Sequence, residues 1–270
     1  MRDIIQSSSN KTIKYFKSLQ LKKYRDEHES FIIEGEKLLK EALAYKASIS
    51  MVLLNQSFAE SERHDELSAK LKDNNIVLYY ADDKTFKDAC ETDTPQGVIA
   101  VAEKMNFSLD EIINKDELCM VLLHEVRDPG NAGTIIRTAD ACGLDAVLLS
   151  KGSVDLYNGK TIRSTMGSLF HIPVIQNLDT VETIAELKGS GVITIGADPH
   201  SEANCIELPG YKKCTIIIGN ESQGIGSDIS AVLDRNVKIP MPGRAESLNA
   251  GIAASIMMYE FSVRKRHVKF

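Results

Sequence analysis

Three short segments of the sequence combine glycine or proline with polar side chains that could do chemistry. The first runs HEVRDPGNAG over residues 124–133 and continues as TIIR to Arg137. The second is GNESQGIG, residues 219–226, and the third is IPMPGRAESLNAG, residues 239–251. Glycine lets the backbone approach a ligand without a Cβ in the way, and two prolines in three residues stiffen a loop. We therefore expect a binding or catalytic site in these segments.

Each segment also has an ordinary structural explanation. Asn131 could serve only as a helix cap, and Arg137 only as a surface ion-pair partner. Glu221 could cap a helix, or it could pair with a cation, whether an arginine or a ligand group. Ser247 could be the N-cap of the last helix. We expect that helix to bury one apolar stripe, which consists of Leu248, Ile252, Ile256 and Tyr259.

Alternating strands and helices must position these segments. Nearly continuous apolar runs at 118–123, 146–149, 192–195 and 215–218 are typical of parallel strands buried on both faces, and helical patterns separate most of them. Ligands of open parallel sheets bind outside the carboxyl ends of the strands, which is where the three segments fall. The pattern predicts an α/β fold with a site along one edge of a parallel sheet.

A second, smaller α/β domain is predicted before this one. Residues 30–103 alternate short strands and helices over about 70 residues, which is near the smallest size for an independent core. The stretch 104–116 is more polar and is predicted to be a linker. We therefore divide the chain into residues 1–103, this linker, and a C-terminal domain at 117–270.

The start of the chain is strongly basic, although the formal net charge of the whole chain is −6. Apolar residues recur at helical spacing between Lys11 and Arg25, which predicts a basic amphipathic helix. A phosphate responds to the local potential within about 10 Å, so an acidic total does not exclude nucleic acid. An ordinary solvated helix would have the same pattern. The basic residues concerned are Lys11, Lys14, Lys17, Lys22, Lys23 and Arg25.

Composition excludes several classes of protein. With 43% hydrophobic and 26% charged residues, the chain is too apolar for disorder. No apolar run approaches the roughly 20 residues that cross a bilayer, and the first residues do not resemble a secretory signal. The five cysteines form no C-x-x-C pair, which argues against a disulfide framework or a cysteine zinc site. We expect a soluble cytoplasmic protein without a metal or a membrane partner.

In their order and spacing, the three segments resemble the motifs of the SpoU (TrmH-like) branch of the SPOUT RNA methyltransferases. The matching stretches are HEVRDPGNAGTIIRTADACG, IIIGNESQGI and KIPMPGRAESLNAGIAASI, and the likeness spans residues 118–263. Upstream, FIIEGEKLLKEAL and TPQGVIAVAE resemble the L30e-like RNA-binding domain of that family. The resemblance implies an α/β SPOUT domain with a parallel sheet and a deep C-terminal trefoil knot, which follows a smaller L30e-like α/β domain.

The resemblance also implies an activity, which is the transfer of a methyl group from S-adenosylmethionine to a ribose 2′-OH of RNA. It implies a homodimer and favours ribosomal RNA of the 23S type as the substrate. It assigns the reaction to Asn131, Arg137, Glu221, Ser247 and Asn249. It places the cofactor against Gly196, Ala197, Gly219, Ile239, Met241 and Leu248. The six basic residues near the N-terminus would then hold RNA.

The expected roles follow from elementary chemistry. Arginine has a pKa above about 12, so we expect Arg137 to bind a phosphate and position the hydroxyl rather than act as a simple base. Glu221 is expected to orient Arg137 or its neighbours. The three remaining polar residues would hold the ribose, the phosphate or the methionine end of the cofactor.

Other interpretations stay open. The chain could be a non-catalytic RNA-binding protein of the same fold, or its substrate could be transfer RNA. It could methylate a base, although the SLN that follows IPMPG favours ribose. An ordinary nucleotide-dependent enzyme would have G-x-G-x-x-G after the first strand of the sheet, where DPGNAG stands instead.

Overall fold

The computed structural model describes residues 3–267, which form two compact units. One unit comprises the chain up to Met105 together with Tyr157–Arg163, and the other comprises Asn106–Leu156 and the chain from Ser164 onward. The separate segment is held in the first unit by its aromatic residue. The ring of Tyr157 lies 4.5 Å from that of Phe31, and its hydroxyl accepts a hydrogen bond from the backbone N–H of Met105 at 2.9 Å.

The first unit is built on a five-stranded mixed sheet. Its strands are β1 (Ile4–Ile5), β2 (Ser30–Glu34), β3 (Ile49–Asn55), β4 (Val77–Ala81) and β5 (Val98–Glu103). Its helices are α1 (Lys11–Ser18), α2 (Lys22–His28), α3 (Glu36–Ala44), α4 (Gln56–Ala59), α5 (Arg63–Asp73) and α6 (Asp83–Asp88). The strand order is β1-β4-β3-β5-β2, and β5 runs antiparallel to both of its neighbours. This is the small α/β unit that the sequence predicts before the larger one.

The predicted basic helix is two helices. Leu21 has an extended backbone with φ −95° and ψ 131°, which separates α1 from α2. The guanidinium of Arg25 donates to the backbone carbonyls of Leu19 and Gln20 at 2.8 and 2.7 Å, where α1 has ended. Ile13 and Phe16 pack into the core of this unit, so the lysines of α1 lie on the opposite, exposed face.

The second unit contains a six-stranded sheet in which every strand pair is parallel, as predicted. Its strands are β6 (Leu118–Leu123), β7 (Ala146–Ser150), β8 (Val174–Leu178), β9 (Ile193–Ala197), β10 (Lys213–Ile218) and β11 (Arg235–Val237). Its helices are α7 (Leu109–Ile113), α8 (Pro129–Ala141), α9 (Gly159–Thr165, which begins in the first unit), α10 (Thr180–Gly189), α11 (Ser227–Val232) and α12 (Ala250–Met258). The strand order is β11-β9-β10-β6-β7-β8. The trefoil knot that the resemblance implies stays a prediction.

Burial explains the apolar runs of the sequence. Every residue of β6 and β7 is buried, because helices cover both faces of the central strands. The polar stretch 104–116 contains α7, which the sequence analysis does not predict. Leu109, Ile112 and Ile113 of α7 belong to the core of the second unit. Three apolar residues in a short helix were too weak a pattern to detect.

The last helix begins later than predicted and buries a different face. Asn249 is its N-cap, α12 packs against α8, β10 and β9, and its buried residues are Gly251, Ala254, Met257 and Met258. The predicted burial of the apolar stripe is wrong, because Ile252, Ile256 and Tyr259 are 50%, 39% and 53% exposed. The small residues Gly251 and Ala254 are buried together with two methionines, whereas the β-branched Ile252 and Ile256 are turned outward. The chain continues as a π-helix, Tyr259–His267, and none of the helices in the described chain is long and apolar enough to cross a bilayer.

Candidate active site

The first candidate segment forms the amino-terminal end of α8. Asp128 is the N-cap of this helix and accepts a hydrogen bond from the backbone N–H of Asn131 at 2.8 Å. Pro129 takes the first helical position, where its missing N–H costs nothing. Asn131 therefore lies in the first turn, with 9% exposure, and its side chain is not used as the cap.

The side chain of Asn131 joins all three candidate segments. Its Nδ2 donates to Oε1 of Glu221 at 3.0 Å, and its Oδ1 accepts from Nδ2 of Asn249 at 2.9 Å. Oδ1 of Asn249 in turn accepts from the backbone N–H groups of Gly251 and Ile252 at the start of α12. The amino-terminal ends of two helices and the turn after β10 thus meet at one buried amide.

Glu221 is held as a carboxylate by this arrangement. Besides the amide of Asn131, its oxygens accept from the backbone N–H groups of Arg127 and Asp128 at 3.4 and 3.3 Å. Burial opposes ionisation, but these donors outweigh it and hold the pKa of Glu221 below its usual value. Its hydrogen bonds fix the start of α8, and none of them goes to Arg137.

Two of the predicted polar residues have no partner among the residues that the structure describes. Arg137 lies in the second turn of α8 and is exposed, and it forms no hydrogen bond or ion pair within residues 3–267. Ser247 is also exposed and is not hydrogen-bonded to any residue that the structure describes. The structure therefore brings Asn131, Glu221 and Asn249 together and leaves the other two side chains available to a ligand.

The predicted cofactor residues lie at the carboxyl ends of three adjacent strands. Gly196 and Ala197 end β9 and pair with residues of β11. Gly219 directly follows β10, and Ile239 follows β11 two residues after its end. Met241 and Leu248 belong to the segment that leaves β11, and both are half-buried.

Close packing surrounds both glycines at these strand ends. Gly219 is buried against the backbone of Gly224, and a Cβ there would overlap it. The turn between them is closed by two backbone hydrogen bonds between Asn220 and Gly224, of 3.0 and 2.9 Å. A Cβ at Gly196 would lie 2.5 Å from Cδ1 of Leu233. Position 219 therefore requires glycine for the fold itself, whereas the atoms nearest Gly196 are the ends of side chains that could move aside.

The segment 239–248 has the opposite character. In the described structure, none of its backbone N–H or C=O groups is hydrogen-bonded. The half-buried side chains of Ile239, Met241 and Leu248 accompany these free groups. A ligand with an apolar ring and a polar edge, such as an adenine, fits this set of groups. No group of three His, Cys, Asp or Glu residues within the described chain could hold a metal ion.

An exposed ion pair that the sequence motifs do not predict lies beside this network. Nη2 of Arg127 donates to Oε2 of Glu125 at 2.7 Å, and Glu125 has a left-handed backbone with φ +53°. The available signal was the presence of two oppositely charged residues in the loop just before the Asp-Pro pair that starts α8. The left-handed backbone could not be read from the sequence.

The predicted RNA-binding residues separate into two kinds. Five lysines are exposed and have no ion pair in the part of the chain that the structure describes; they are Lys11, Lys14, Lys17, Lys22 and Lys23. Arg25 is only 4% exposed, and its guanidinium binds backbone carbonyls at the end of α1. The structure therefore does not bring Arg25 to the basic face.

The fold and this geometry define an α/β protein whose three candidate segments meet at the carboxyl edge of a parallel sheet. Residues 119–259 match the SpoU rRNA methylase family, and residues 10–100 match the MRM3-like substrate binding domain. The chain belongs to the SpoU rRNA methylase family, so the predicted family is confirmed.

Individual relatives agree along nearly the whole chain. The 23S rRNA (guanosine(2553)-2′-O)-methyltransferase RlmP of Bacillus subtilis (strain 168) is 38% identical over 256 residues, which cover 94% of this chain and 97% of that protein. An AdoMet-bound rRNA methyltransferase from Sinorhizobium meliloti has a TM-score of 0.85 at 30% identity and covers 96% of each chain. The SpoU methyltransferase AviRb from Streptomyces viridochromogenes, in complex with AdoMet, has a TM-score of 0.83 at 27% identity, over 95% of this chain and 98% of that one.

Proposed function

We propose that this chain transfers a methyl group from S-adenosylmethionine to a ribose 2′-OH of ribosomal RNA. The observation that carries the proposal is the network of Asn131, Glu221 and Asn249, which brings the three motifs of the family to one place. RlmP acts on a guanosine of 23S rRNA, which supports the same class of target here. A cytoplasmic location follows, because the protein must meet ribosomal RNA.

The residues at the carboxyl edge of β9, β10 and β11 fit the cofactor. The free backbone groups of 239–248 would bind its polar edge, and Ile239, Met241 and Leu248 would contact its apolar parts. Two relatives with a similar fold bind AdoMet, which supports this assignment. When bound, S-adenosylmethionine supplies a methyl group activated by a sulfonium centre.

The chain's own residues mainly align the reactants. Arg137 would bind the phosphate next to the target ribose and stabilise the negative charge that develops on the hydroxyl oxygen. Glu221 is a weak proton acceptor because its pKa is lowered, so its role is to position α8 and thereby Arg137. Ser247 is free to bind the ribose or the methionine end of the cofactor.

The protein is proposed to act as a homodimer. Ile252 and Ile256 of α12 and Tyr259, which directly follows it, recur at helical spacing and form an exposed apolar face next to the site. A second copy of the chain is the proposed occupant, because a self-complementary helix face is what a two-fold dimer requires. A stable interface would bury at least about 1,000 Å².

A charged substitution on the exposed apolar face of α12 tests whether that face forms the dimer interface. Ile256→Asp should convert the protein to a monomer in sedimentation velocity at micromolar concentration, because a carboxylate would be buried without a partner. Val181→Asp is the matched control, since Val181 is 51% exposed on another helix and should leave the oligomeric state unchanged. A wild-type protein that sediments as a monomer would refute the dimer.

Methyl transfer from labelled S-adenosylmethionine tests the activity. Purified full-length protein should label ribosomal RNA taken from cells that lack this gene, and the label should map to a ribose 2′-O-methyl group. The variant Arg137→Ala should label the RNA at least about 10³-fold more slowly. Label in transfer RNA, label on a base, or RNA binding without label would each support a competing interpretation and refute this one.

A further inference from the structure

We propose that Glu125 and Arg127 read the base of the target nucleotide and select guanine. The inference rests on the proposed function and adds the determinant of its substrate specificity. Its starting point is the exposed ion pair between these residues, at 2.7 Å, which stability does not explain.

The backbone that carries this pair is fixed on several sides. The N–H of Glu125 donates to Oγ of Ser150 at 2.9 Å, and its C=O accepts from Nδ2 of Asn220 at 2.9 Å. Two residues later, the N–H of Arg127 donates to Glu221. The two side chains therefore project from a rigid loop that is bonded directly to the candidate site.

The pair lies on the half of the sheet edge that the cofactor residues do not use. In the strand order β11-β9-β10-β6-β7-β8, the predicted cofactor residues follow β9, β10 and β11. The loop with Glu125 follows β6 and contacts the end of β7, on the other side of Glu221. In an in-line transfer the acceptor approaches opposite the leaving group, so the nucleotide is expected on this second half.

Neither the backbone nor stability accounts for glutamate at this position. A φ of +53° favours glycine or asparagine and costs a residue with a long side chain on the order of 1 kcal/mol. Exposed ion pairs contribute little, and the side chains of Arg127 and Glu125 are 67% and 38% exposed. The glutamate has a local cost that the ion pair does not offset, which points to a task outside the folded chain.

The chemistry of the pair matches guanine. Its Watson–Crick edge presents two donors, N1–H and N2–H, beside the acceptor O6. A carboxylate accepts from both donors, and a neighbouring guanidinium donates to O6 or N7. Adenine has an acceptor at N1, and uracil flanks its single N–H with two carbonyls, so both repel a carboxylate. Proteins read unpaired RNA bases on this edge.

The experiment compares target bases in one short RNA hairpin that carries the methylated site. The hairpins contain guanosine, inosine or adenosine at the target position, and kcat/KM is measured for each with the full-length protein. Wild type should prefer guanosine to inosine by about tenfold, because inosine lacks the N2 donor, and should use adenosine still less well. Glu125→Gln and Glu125→Gly should reduce the preference for guanosine to within about threefold.

The two variants have different controls. Glu125→Gly should unfold at the same temperature as wild type or higher, since glycine relieves the left-handed backbone, so a lost preference there is not a folding defect. Glu66→Gln removes an exposed ion pair of 2.8 Å in the first unit and should keep the preference. A folded Glu125→Gly with unchanged preference, or a natural target other than guanosine, overturns this inference alone. A wild-type protein that methylates no ribose overturns the proposed function, and this inference with it.

Discussion

The two loops at the predicted cofactor edge differ in how their backbone is satisfied. The turn 219–226 closes on itself through backbone hydrogen bonds and through the contact of Gly219 with Gly224. The segment 239–248 makes no hydrogen bond with the described chain. One loop is closed by its own hydrogen bonds, whereas the other holds the unpaired backbone groups that a ligand needs.

The same division separates the polar side chains. Asn131 is hydrogen-bonded to both Glu221 and Asn249, whereas Arg137 and Ser247 bind nothing in the described structure. Paired groups give the site its shape before substrate arrives, and unpaired groups are left for the reactants. Variants of paired residues should therefore lower stability together with activity, and variants of unpaired residues should lower activity alone.

The largest effect is expected at Arg137. Arg137→Ala should reduce methyl transfer by about 10³-fold or more, because the developing oxyanion loses its cation. The free energy of unfolding should change by less than about 0.5 kcal/mol, and cofactor binding measured by calorimetry should persist. Arg137→Lys keeps the positive charge but lacks the planar guanidinium, so its rate of methyl transfer should lie between those of wild type and Arg137→Ala. Normal turnover by Arg137→Ala would remove this residue from the mechanism.

A smaller effect on activity and a real effect on stability are expected at Glu221. Glu221→Ala leaves the amide of Asn131 and two backbone N–H groups without their acceptor, and should destabilise the second unit by about 1 kcal/mol in urea unfolding. Transfer should fall by about tenfold to 100-fold through misplacement of α8.

The lowered pKa of Glu221 gives this test a pH dependence. Its ionisation stabilises the folded state at pH values above its usual pKa of 4.5. That contribution is lost as the pH falls through the lower pKa that Glu221 has in the folded state. The stability difference between wild type and Glu221→Gln should therefore shrink between pH 7 and about pH 3.5. A difference that grows on acidification would contradict the assignment.

Hydrogen exchange compares the two loops directly. Amides of 239–248 should exchange rapidly in the free protein and slow down by about tenfold or more when S-adenosylmethionine is added. Amides of Asn220 and Gly224 should already be protected without it. Amides of α3, in the other unit, serve as the unaffected reference. Equal protection of both loops in the free protein would contradict the proposed difference in their backbone hydrogen bonding.

The smallest effects are expected on the basic face of the first unit. Replacing Lys14 and Lys17 by Gln should reduce the slope of log affinity against log salt by about 0.7 for each residue, with no loss of stability. Arg25→Ala should leave that slope unchanged and should destabilise the first unit by about 1–3 kcal/mol, because it unpairs buried carbonyls at the end of α1. If Arg25→Ala reduced the salt slope as much as the lysine replacements do, the distinction between exposed lysines and a structural Arg25 would be contradicted.

Local patterns predicted much of this molecule. Long apolar runs predicted the strands of the parallel sheet, because burial on both faces requires them. The sequence also predicted a helix after Pro129 and Gly130, with Asn131 as a possible cap, but α8 begins earlier, at Pro129, and its cap is Asp128. The motif order placed the candidate residues on loops at one edge.

Choices among equivalent faces could not be predicted. The last helix has apolar residues on more than one face, so its sequence does not show that Gly251 and Ala254 pack inward while Ile252 and Ile256 face out. The break between α1 and α2 depends on a hydrogen bond from Arg25 to the end of α1, and periodicity carries no sign of it. The partners of Glu221 likewise depend on tertiary contacts.

The charge of Glu221 also determines the orientation of the side-chain amides of Asn131 and Asn249. An ionised carboxylate can only accept, so Asn131 must turn its nitrogen toward it and its oxygen toward Asn249. Asn249 must then present its own nitrogen, which leaves its oxygen for the first turn of α12. A protonated Glu221 could donate as well as accept. The orientation of the amides of Asn131 and Asn249, and with it the direction of the hydrogen bonds that link α8 to α12, would then no longer be fixed.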